Sequence, residues 1–139
     1  MDRALLDTDI CSEILRGRNV MVLQRMMEYV AVHDRLTISA LTVVEIAKGL
    51  VKANRAEQLK AVDSFFDGVE VVSLDRPCAR LAGEILGRLE QSGATIGRID
   101  PMIAAIAIIH GLTLVTGNTA HYERIALLGY DLKLANWRL

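Results

Sequence analysis

The sequence has few aromatic residues, few cysteines and no excess of basic charge. Aromatic residues make up 4% of the 139 residues, so a hydrophobic core must be mostly aliphatic. The formal net charge of −1 excludes a protein whose whole surface attracts nucleic acid, and any such contact must depend on a local basic patch. Cys11, Cys78, His33 and His110 show no metal-type spacing, so we expect them to be structural and expect no disulfide framework.

Long hydrophobic runs are also absent. The longest uncharged apolar stretch, 101–109, is well short of the ~20 residues that a membrane-spanning helix needs. The N-terminal region carries Asp2 and Asp7 and has no apolar stretch of the kind found in signal peptides. We therefore expect a cytoplasmic protein with no membrane association. The hydrophobic fraction of 52% is sufficient for the core of one domain over residues 1–139.

Short apolar runs alternate with longer segments of helical periodicity. The predicted strands are 3–6, 36–39, 70–73, 112–116 and 131–134. The predicted helices are 12–16, 20–30, 41–50, 54–66 and 78–91, and a further helix opens at Asp100-Pro101. We expect Asp100 to be an N-cap, and Asn54 with Glu57 to form a capping box. The alternation predicts an α/β fold with a central, mainly parallel sheet and helices on both faces.

Several polar side chains follow the ends of the predicted strands. In parallel sheets, ligand sites lie beyond the carboxyl ends of the strands. Asp7 follows the first strand directly, and Glu45 lies one turn into the helix after the second. Asp100 opens the helix that leads into the fourth strand, and Thr116 and Asn118 follow that strand. We expect these side chains to converge at one edge of the sheet.

Clustered carboxylates repel one another unless a cation lies among them. Oxygen ligands favour a hard cation, so we expect Mg²⁺, with Mn²⁺ able to substitute. A cation held in this way suits phosphodiester hydrolysis, because it polarises the phosphate and lowers the pKa of an attacking water. The pattern leaves open whether one ion or two are bound.

Four stretches of the sequence, taken together, resemble a known enzyme family. In order they are L-L-D-T-D-I (5–10), I-S-A-L-T-V-V-E-I (38–46), I-G-R-I-D-P-M-I-A-A-I-A (96–107) and L-V-T-G-N-T-A-H-Y-E-R-I (114–125). They resemble the PIN-domain ribonucleases, specifically the VapC-like toxins of bacterial toxin–antitoxin pairs. The resemblance implies a PIN-like three-layer α/β/α fold and a Mg²⁺-dependent endoribonuclease that inhibits translation and growth until a small antitoxin binds it. It also implies a homodimer formed through helical faces.

The resemblance implies roles for the residues at the matching positions. Asp7 and Asp100 would be the principal metal ligands. Glu45 would be a third catalytic acid, which holds the metal directly or through water. Asn118 would join these three as a catalytic residue, and Thr116 would help to position the metal or a substrate phosphate.

The chain departs from the family pattern at two positions. The family usually has a further acid a few residues after the asparagine, where this chain has His121, with Glu123 two residues on. Asp9 is more often asparagine in the family, so we expect it to shape the turn or to reach the site through water. Three residues are candidates for positioning RNA: Arg16, Arg98 and His121. Arginines commonly contact the phosphates of nucleic acids.

Two other functions fit part of the sequence. Asp7-Thr8-Asp9 matches the nucleophile and general acid of haloacid-dehalogenase-like phosphatases, in which Asp7 would form a phosphoaspartate. The later motif of that family, Gly-Asp-x-x-x-Asp, is absent. The second alternative is a non-catalytic interaction domain of the receiver type, for which Asp75 after the third predicted strand is a poor match.

Overall fold

The computed structural model describes residues 1–139 and contains seven α-helices and five strands. In chain order they are β1 (Ala4–Leu6), α1 (Thr8–Arg16), α2 (Val20–His33), β2 (Thr37–Ser39), α3 (Ala40–Lys52), α4 (Leu59–Asp67), β3 (Glu70–Val72), α5 (Arg76–Ser92), α6 (Ile99–His110), β4 (Thr113–Val115), α7 (Thr119–Ala126) and β5 (Leu134–Ala135). A short 3₁₀ helix, Ala56–Gln58, precedes α4. None of the helices has the length and apolar character that crossing a bilayer requires.

The five strands form one parallel sheet in the order β3-β2-β1-β4-β5, as the alternating sequence pattern predicts. In the central strand, Leu6 lies opposite Ile38 on one side and opposite Val115 on the other. The next residues along β1 and β4 are Asp7 and Thr116. These two side chains therefore leave the sheet beside each other at its carboxyl edge.

A separate hydrophobic core lies on each face of the sheet. Leu5 belongs to the core formed with α5, α6 and α7, whereas Ala4 and Leu6 belong to the core formed with α1, α2 and α3. This division follows from the two-residue period of a strand, which directs successive side chains to opposite faces. The result is the predicted three-layer α/β/α arrangement.

Two predicted helix caps are wrong. Asp100 lies in the first turn of α6, and the N-cap residue is Arg98, which makes no side-chain capping bond. The carboxylate of Asp100 faces His121 instead of its own helix terminus. The capping box at Asn54 and Glu57 does not form, because Asn54 takes a left-handed φ of 60° after α3 and the next helix begins with the 3₁₀ turn.

Most of the apolar residues of α2 lie outside the core. The buried residues of this helix are Val22 and Tyr29, whereas Val20 and Met27 are 78% and 61% exposed. Tyr29 takes the core position because its hydroxyl lies 3.0 Å from the backbone nitrogen of Ala4, which donates to it. Val20 and Met27 therefore form part of an exposed apolar helical face.

Candidate active site at the carboxyl edge of the sheet

Asp7 lies at the centre of this edge and is 6% exposed. Its Oδ1 accepts hydrogen bonds from the backbone nitrogen of Thr8 at 2.9 Å and from the Tyr122 hydroxyl at 3.1 Å. Its Oδ2 accepts from the Thr116 hydroxyl at 2.8 Å. Asp7 is also the N-cap residue of α1, which starts at Thr8, four residues earlier than predicted. Three donors thus hold the carboxylate in one orientation.

The electrostatic surroundings of Asp7 oppose its negative charge. The pKa of Asp7 is raised from its ordinary value of 3.8 to about 7, mainly by burial and also by the nearby carboxylates of Asp9 and Asp100. The hydrogen bonds from Thr116 and Thr8 lower the same pKa and only partly offset these effects. A cation beside Asp7 would reverse this balance, because it favours the ionised carboxylate.

Tyr122 is a further hydrogen-bond partner of Asp7. Its side chain is fully buried, and its hydroxyl donates to Asp7 at 3.1 Å. Burial, with the charges of Asp7 and Asp100, raises the pKa of Tyr122, so the phenol stays neutral and remains a donor. The sequence analysis missed this residue. Two features of the sequence could have indicated it: Tyr122 is one of only three tyrosines in the chain, and it lies next to His121 in the fourth motif.

His121 faces Asp100 but does not form a hydrogen bond with it. Nδ1 of His121 lies 2.9 Å from Oδ2 of Asp100, yet this buried nitrogen has no hydrogen-bond partner. A buried polar atom without a partner is uncommon and is typical of a place where an ion or a water belongs. The atom lies against one of the two acids that the family resemblance implies as metal ligands. The carboxylates of Asp7 and Asp100 are therefore suited to a hard cation that prefers oxygen ligands, and the imidazole of His121 lies next to them.

Glu45 is connected to the same edge through Thr8. The Thr8 hydroxyl donates to Oε1 of Glu45 at 2.6 Å and lies 3.0 Å from the hydroxyl of Thr42. Glu45 is half-buried on α3, as predicted for an acid that faces a cleft. Thr8 is a second contact residue that the sequence analysis missed, because nothing in Asp-Thr-Asp distinguishes the middle residue from a spacer.

Asp9 organises the neighbouring turn. Its carboxylate accepts from the backbone nitrogens of Ile10 at 2.8 Å and Gly117 at 2.9 Å, and lies 3.6 Å from the Arg138 guanidinium. A Cβ at position 117 would collide with the ends of the Arg138 and Asp9 side chains, so the turn packs closely against both. This confirms that Asp9 shapes the turn. A phosphatase general acid would instead have to share a substrate with Asp7.

A groove of about 820 Å³ adjoins the acids on the α1 and α3 side. Thr8 and Glu45 line its inner end, and Arg16, Arg18 and Arg55 line the rest together with apolar side chains. Of the two arginines predicted to face RNA, Arg16 therefore lies in this groove.

The remaining predicted residues lie at the periphery of the acids. Arg98 is exposed and lines a separate pocket of about 210 Å³ with Glu90 and Thr95. Asn118 is exposed just after β4, where its backbone nitrogen donates to the Thr116 hydroxyl at 3.0 Å. Its side chain makes no capping bond to α7.

Comparison with known proteins agrees with this geometry. The family model described as PIN domain matches residues 4–127. The chain is 31% identical to Ribonuclease VapC2 of Rickettsia felis over 134 residues, which are 96% of each protein. It is 30% identical to the tRNA(fMet)-specific endonuclease VapC of Shigella flexneri over 138 residues, or 99% of each. The crystal structure of DNA-bound VapBC from Salmonella typhimurium superposes with a TM-score of 0.83, at 29% identity and 99% coverage of both chains.

The PIN match contains every residue of the carboxyl-edge cluster, from Asp7 to Tyr122. The VapBC2 complex of Rickettsia felis with a promoter DNA fragment gives a TM-score of 0.81, at 30% identity over 96% of this chain and 98% of that one. The sequence and the fold agree, and the chain belongs to the PIN-domain family, among relatives that are VapC nucleases.

Proposed function

We propose that this PIN domain is a Mg²⁺-dependent endoribonuclease and the toxin of a toxin–antitoxin pair. The observation that carries the proposal is the position of Asp7 and Asp100 at the carboxyl edge of the sheet, where Tyr122 donates to Asp7 and the neighbouring His121 faces Asp100. Two acids from separate motifs thus lie where α/β folds bind their ligands. The names of the relatives, ribonuclease and tRNA(fMet)-specific endonuclease, support RNA as the substrate.

Asp7 and Asp100 would hold the ion, with Glu45 as a further acid that reaches it directly or through water. Bound there, Mg²⁺ supplies polarisation of the scissile phosphate, a lower pKa for the attacking water and stabilisation of charge on the leaving oxygen. Mn²⁺ could substitute, since it accepts the same oxygen ligands. PIN nucleases are generally metal-dependent, in agreement with the mutual repulsion of these carboxylates.

The surrounding side chains would position the acids. Thr116, Tyr122 and the backbone nitrogen of Thr8 leave Asp7 little freedom to rotate, so its remaining lone pairs stay directed at one place. The Thr8 hydroxyl does the same for Glu45. Asn118, exposed beside Thr116, is free to contact a substrate phosphate, and His121 borders the same space.

The groove of arginines would receive the RNA backbone. Arg16, Arg18 and Arg55 lie along the groove that opens at Glu45, so phosphates bound there would lead one phosphodiester to the acids. Arg98 lies outside this groove and would contact RNA only on the far side of Asp100. The local basic groove explains how a chain with a net charge of −1 could bind a polyanion.

A cognate antitoxin and a second copy of the chain would be the protein partners. Several solved relatives are VapBC complexes, which supports an antitoxin partner. The exposed apolar residues of α2 and α3, among them Val20, Met27 and Val44, provide helical faces through which a homodimer could form. The protein would act in the cytoplasm, where RNA and the antitoxin meet, and would inhibit translation and growth.

RNA cleavage by purified variants tests the enzymatic part. Asp100→Asn keeps the shape of the side chain but removes its charge, and we expect it to abolish Mg²⁺-dependent cleavage of total RNA. Asp131→Asn is the matched control, because Asp131 is exposed and remote from the edge. Circular dichroism and urea unfolding would show that both variants are folded. Cleavage by Asp100→Asn at the rate of the parent would refute the assignment.

Growth on induced expression tests the toxin part separately. We expect the parent to arrest growth and Asp100→Asn to relieve the arrest. Co-expression with the protein from the adjacent reading frame should restore growth and yield a complex that co-purifies. If the protein cleaved RNA efficiently in vitro but did not arrest growth, the proposed nuclease activity would stand and the proposed toxin role would be refuted.

A further inference from the structure

A second cluster of ligand-type side chains lies at the opposite end of α6 from Asp100. The ligand atoms of Asp75, Cys78 and His110 all lie within 4.8 Å of one another. His110 is ten residues along α6 from Asp100, so the cluster is about 15 Å from the acids described above. Cys78 and His110 were expected to be structural, and the structure places them beside Asp75 and beside each other.

The packing of α5 against α6 creates this cluster. Asp75 is the N-cap residue of α5, and its Oδ1 accepts from the backbone nitrogen of Cys78 at 3.2 Å. His110 is the last residue of α6, which ends at Gly111 with a left-handed φ of 65°. Cys78 and His110 are 32 residues apart in the sequence. Their side chains meet because the N-terminal end of α5 lies beside the C-terminal end of α6.

The three side chains differ in exposure in a way that suits an ion. Cys78 is completely buried and forms the floor of the cluster, whereas Asp75 and His110 are exposed at its rim. The Asp75 carboxylate, which accepts from the backbone nitrogen of Cys78, lies within 4.8 Å of the Cys78 sulfur. Burial, with the nearby carboxylate, raises the pKa of Cys78 to about 11 and keeps the thiol proton in place when no cation is bound.

The donor set selects a different cation from the one proposed for the acids. A thiolate sulfur, an imidazole nitrogen and a carboxylate oxygen are the ligands of Zn²⁺, whereas Mg²⁺ takes oxygen alone. Tetrahedral Zn²⁺ with bonds of about 2.0–2.3 Å places its ligands roughly 3.3–3.7 Å apart. The exposed side chains of Asp75 and His110 need to move by only about 1 Å to reach that spacing.

We propose that Asp75, Cys78 and His110 form a Zn²⁺ site that joins the N-terminus of α5 to the C-terminus of α6. On binding, the thiol proton passes to solvent, sulfur, oxygen and nitrogen each donate a lone pair, and the fourth position stays open to water or to a group from a partner. The site is independent of the proposed nuclease function. Its direct effect is to tie the two helices that cover one face of the sheet.

Cobalt spectroscopy of the full chain tests this proposal. Co²⁺ bound by a thiolate gives a sulfur-to-metal charge-transfer absorption, which the oxygen ligands of the acids cannot produce. We expect Co²⁺ alone to give this band with one equivalent per chain in Asp100→Asn, and Zn²⁺ to abolish it by displacement. His110→Ala should weaken Co²⁺ binding at least by the ~10- to 100-fold that loss of a supporting group near a metal costs.

Matched variants separate the site from adventitious binding. Cys78→Ser should lose the band, whereas Cys11→Ala, which removes the other buried cysteine, should keep it. His33→Ala is the control for His110→Ala, because His33 lies on α2, away from Asp75 and Cys78, and His110 itself is exposed. The proposal is overturned if the parent gives no band, if Cys11→Ala loses it, or if His110→Ala binds Co²⁺ as tightly as His33→Ala.

A stability measurement provides the second readout. One equivalent of Zn²⁺ should raise the melting temperature of the parent, because it binds only the folded chain, and should leave that of His110→Ala unchanged. An equal rise in both proteins would show that Zn²⁺ acts elsewhere. RNA cleavage in Mg²⁺ by His110→Ala should match the parent, so failure of this site and failure of the nuclease proposal are distinguishable.

Discussion

The hydroxyl of Thr116 donates a 2.8 Å hydrogen bond to Oδ2 of Asp7, between residues 109 apart in the sequence. Each residue is the first beyond a strand, and β1 and β4 are neighbours in register. The bond therefore follows from the sheet itself. It fixes the acid around which the rest of the carboxyl edge is arranged.

Removing this hydrogen bond should destabilise the protein in a pH-dependent way. Thr116→Val deletes the donor and keeps the shape of the side chain, so we expect a loss of about 1–3 kcal/mol in the free energy of unfolding at pH 8. At pH 5 the loss should be smaller, because Asp7 is then protonated. Urea unfolding in EDTA measures both values. Thr116→Ser retains the hydroxyl and should behave as the parent, so equal losses in both variants would contradict the role of the bond.

Asp7 should make the metal-free protein less stable as the pH rises. Its pKa is about 7 when folded and near 3.8 when unfolded, so the folded state holds the proton more tightly. The resulting stabilisation is present at low pH and is lost between about pH 4 and pH 8, by at most about 4 kcal/mol. We expect Asp7→Asn to remove this loss in urea unfolding with EDTA. An identical pH dependence in the parent and in Asp7→Asn would refute the raised pKa.

His121→Glu should strengthen Mg²⁺ binding. The substitution places a carboxylate beside Asp100, at the position where the family usually has an acid, and so adds negative charge that a cation can neutralise. We expect the Mg²⁺ concentration for half-maximal cleavage to fall by roughly tenfold. His121→Gln, which has similar size and no charge, is the control. If both variants require the same Mg²⁺ concentration as the parent, His121 does not border the ion.

Substitution of the groove arginines should weaken RNA binding without changing the acids. The logarithm of the association constant for RNA falls linearly with the logarithm of the salt concentration. We expect the magnitude of this slope to fall by about 1 for each substitution that removes one phosphate contact, in Arg16→Gln, Arg18→Gln and Arg55→Gln. Fluorescence anisotropy with a labelled RNA measures this in the Asp100→Asn background, in which cleavage does not interfere. Arg80→Gln, on the exposed side of α5, is the matched control and should keep the full slope.

The sequence predicts the sheet and its acids well because both depend on local signals. Short apolar runs that end in polar residues specify the strands, and parallel pairing then brings Asp7 and Thr116 together without further information. Glu45 could be assigned to the same edge because it lies one turn into the helix that follows β2.

Contacts that depend on helix packing could not be predicted in this way. Tyr122 reaches Asp7 only because α7 packs against the same face as α6, and a tyrosine in an amphipathic segment reads as ordinary core. Asp100 has the sequence signature of an N-cap, but its carboxylate turns to His121 from a helix that begins one residue earlier. The Asp75–His110 cluster likewise depends on two helix ends that meet in space.

The central claim is that Asp7 and Asp100 hold a divalent cation, and anomalous diffraction from crystals grown with Mn²⁺ tests it most directly. We predict a manganese peak at the carboxyl edge of the sheet, with carboxylate oxygens of both residues within about 2.3 Å of the ion. Asp100→Asn crystals grown in the same way should lose or weaken the peak. Mn²⁺ bound elsewhere on the chain, with no anomalous density between Asp7 and Asp100, would show that these two acids do not hold the ion.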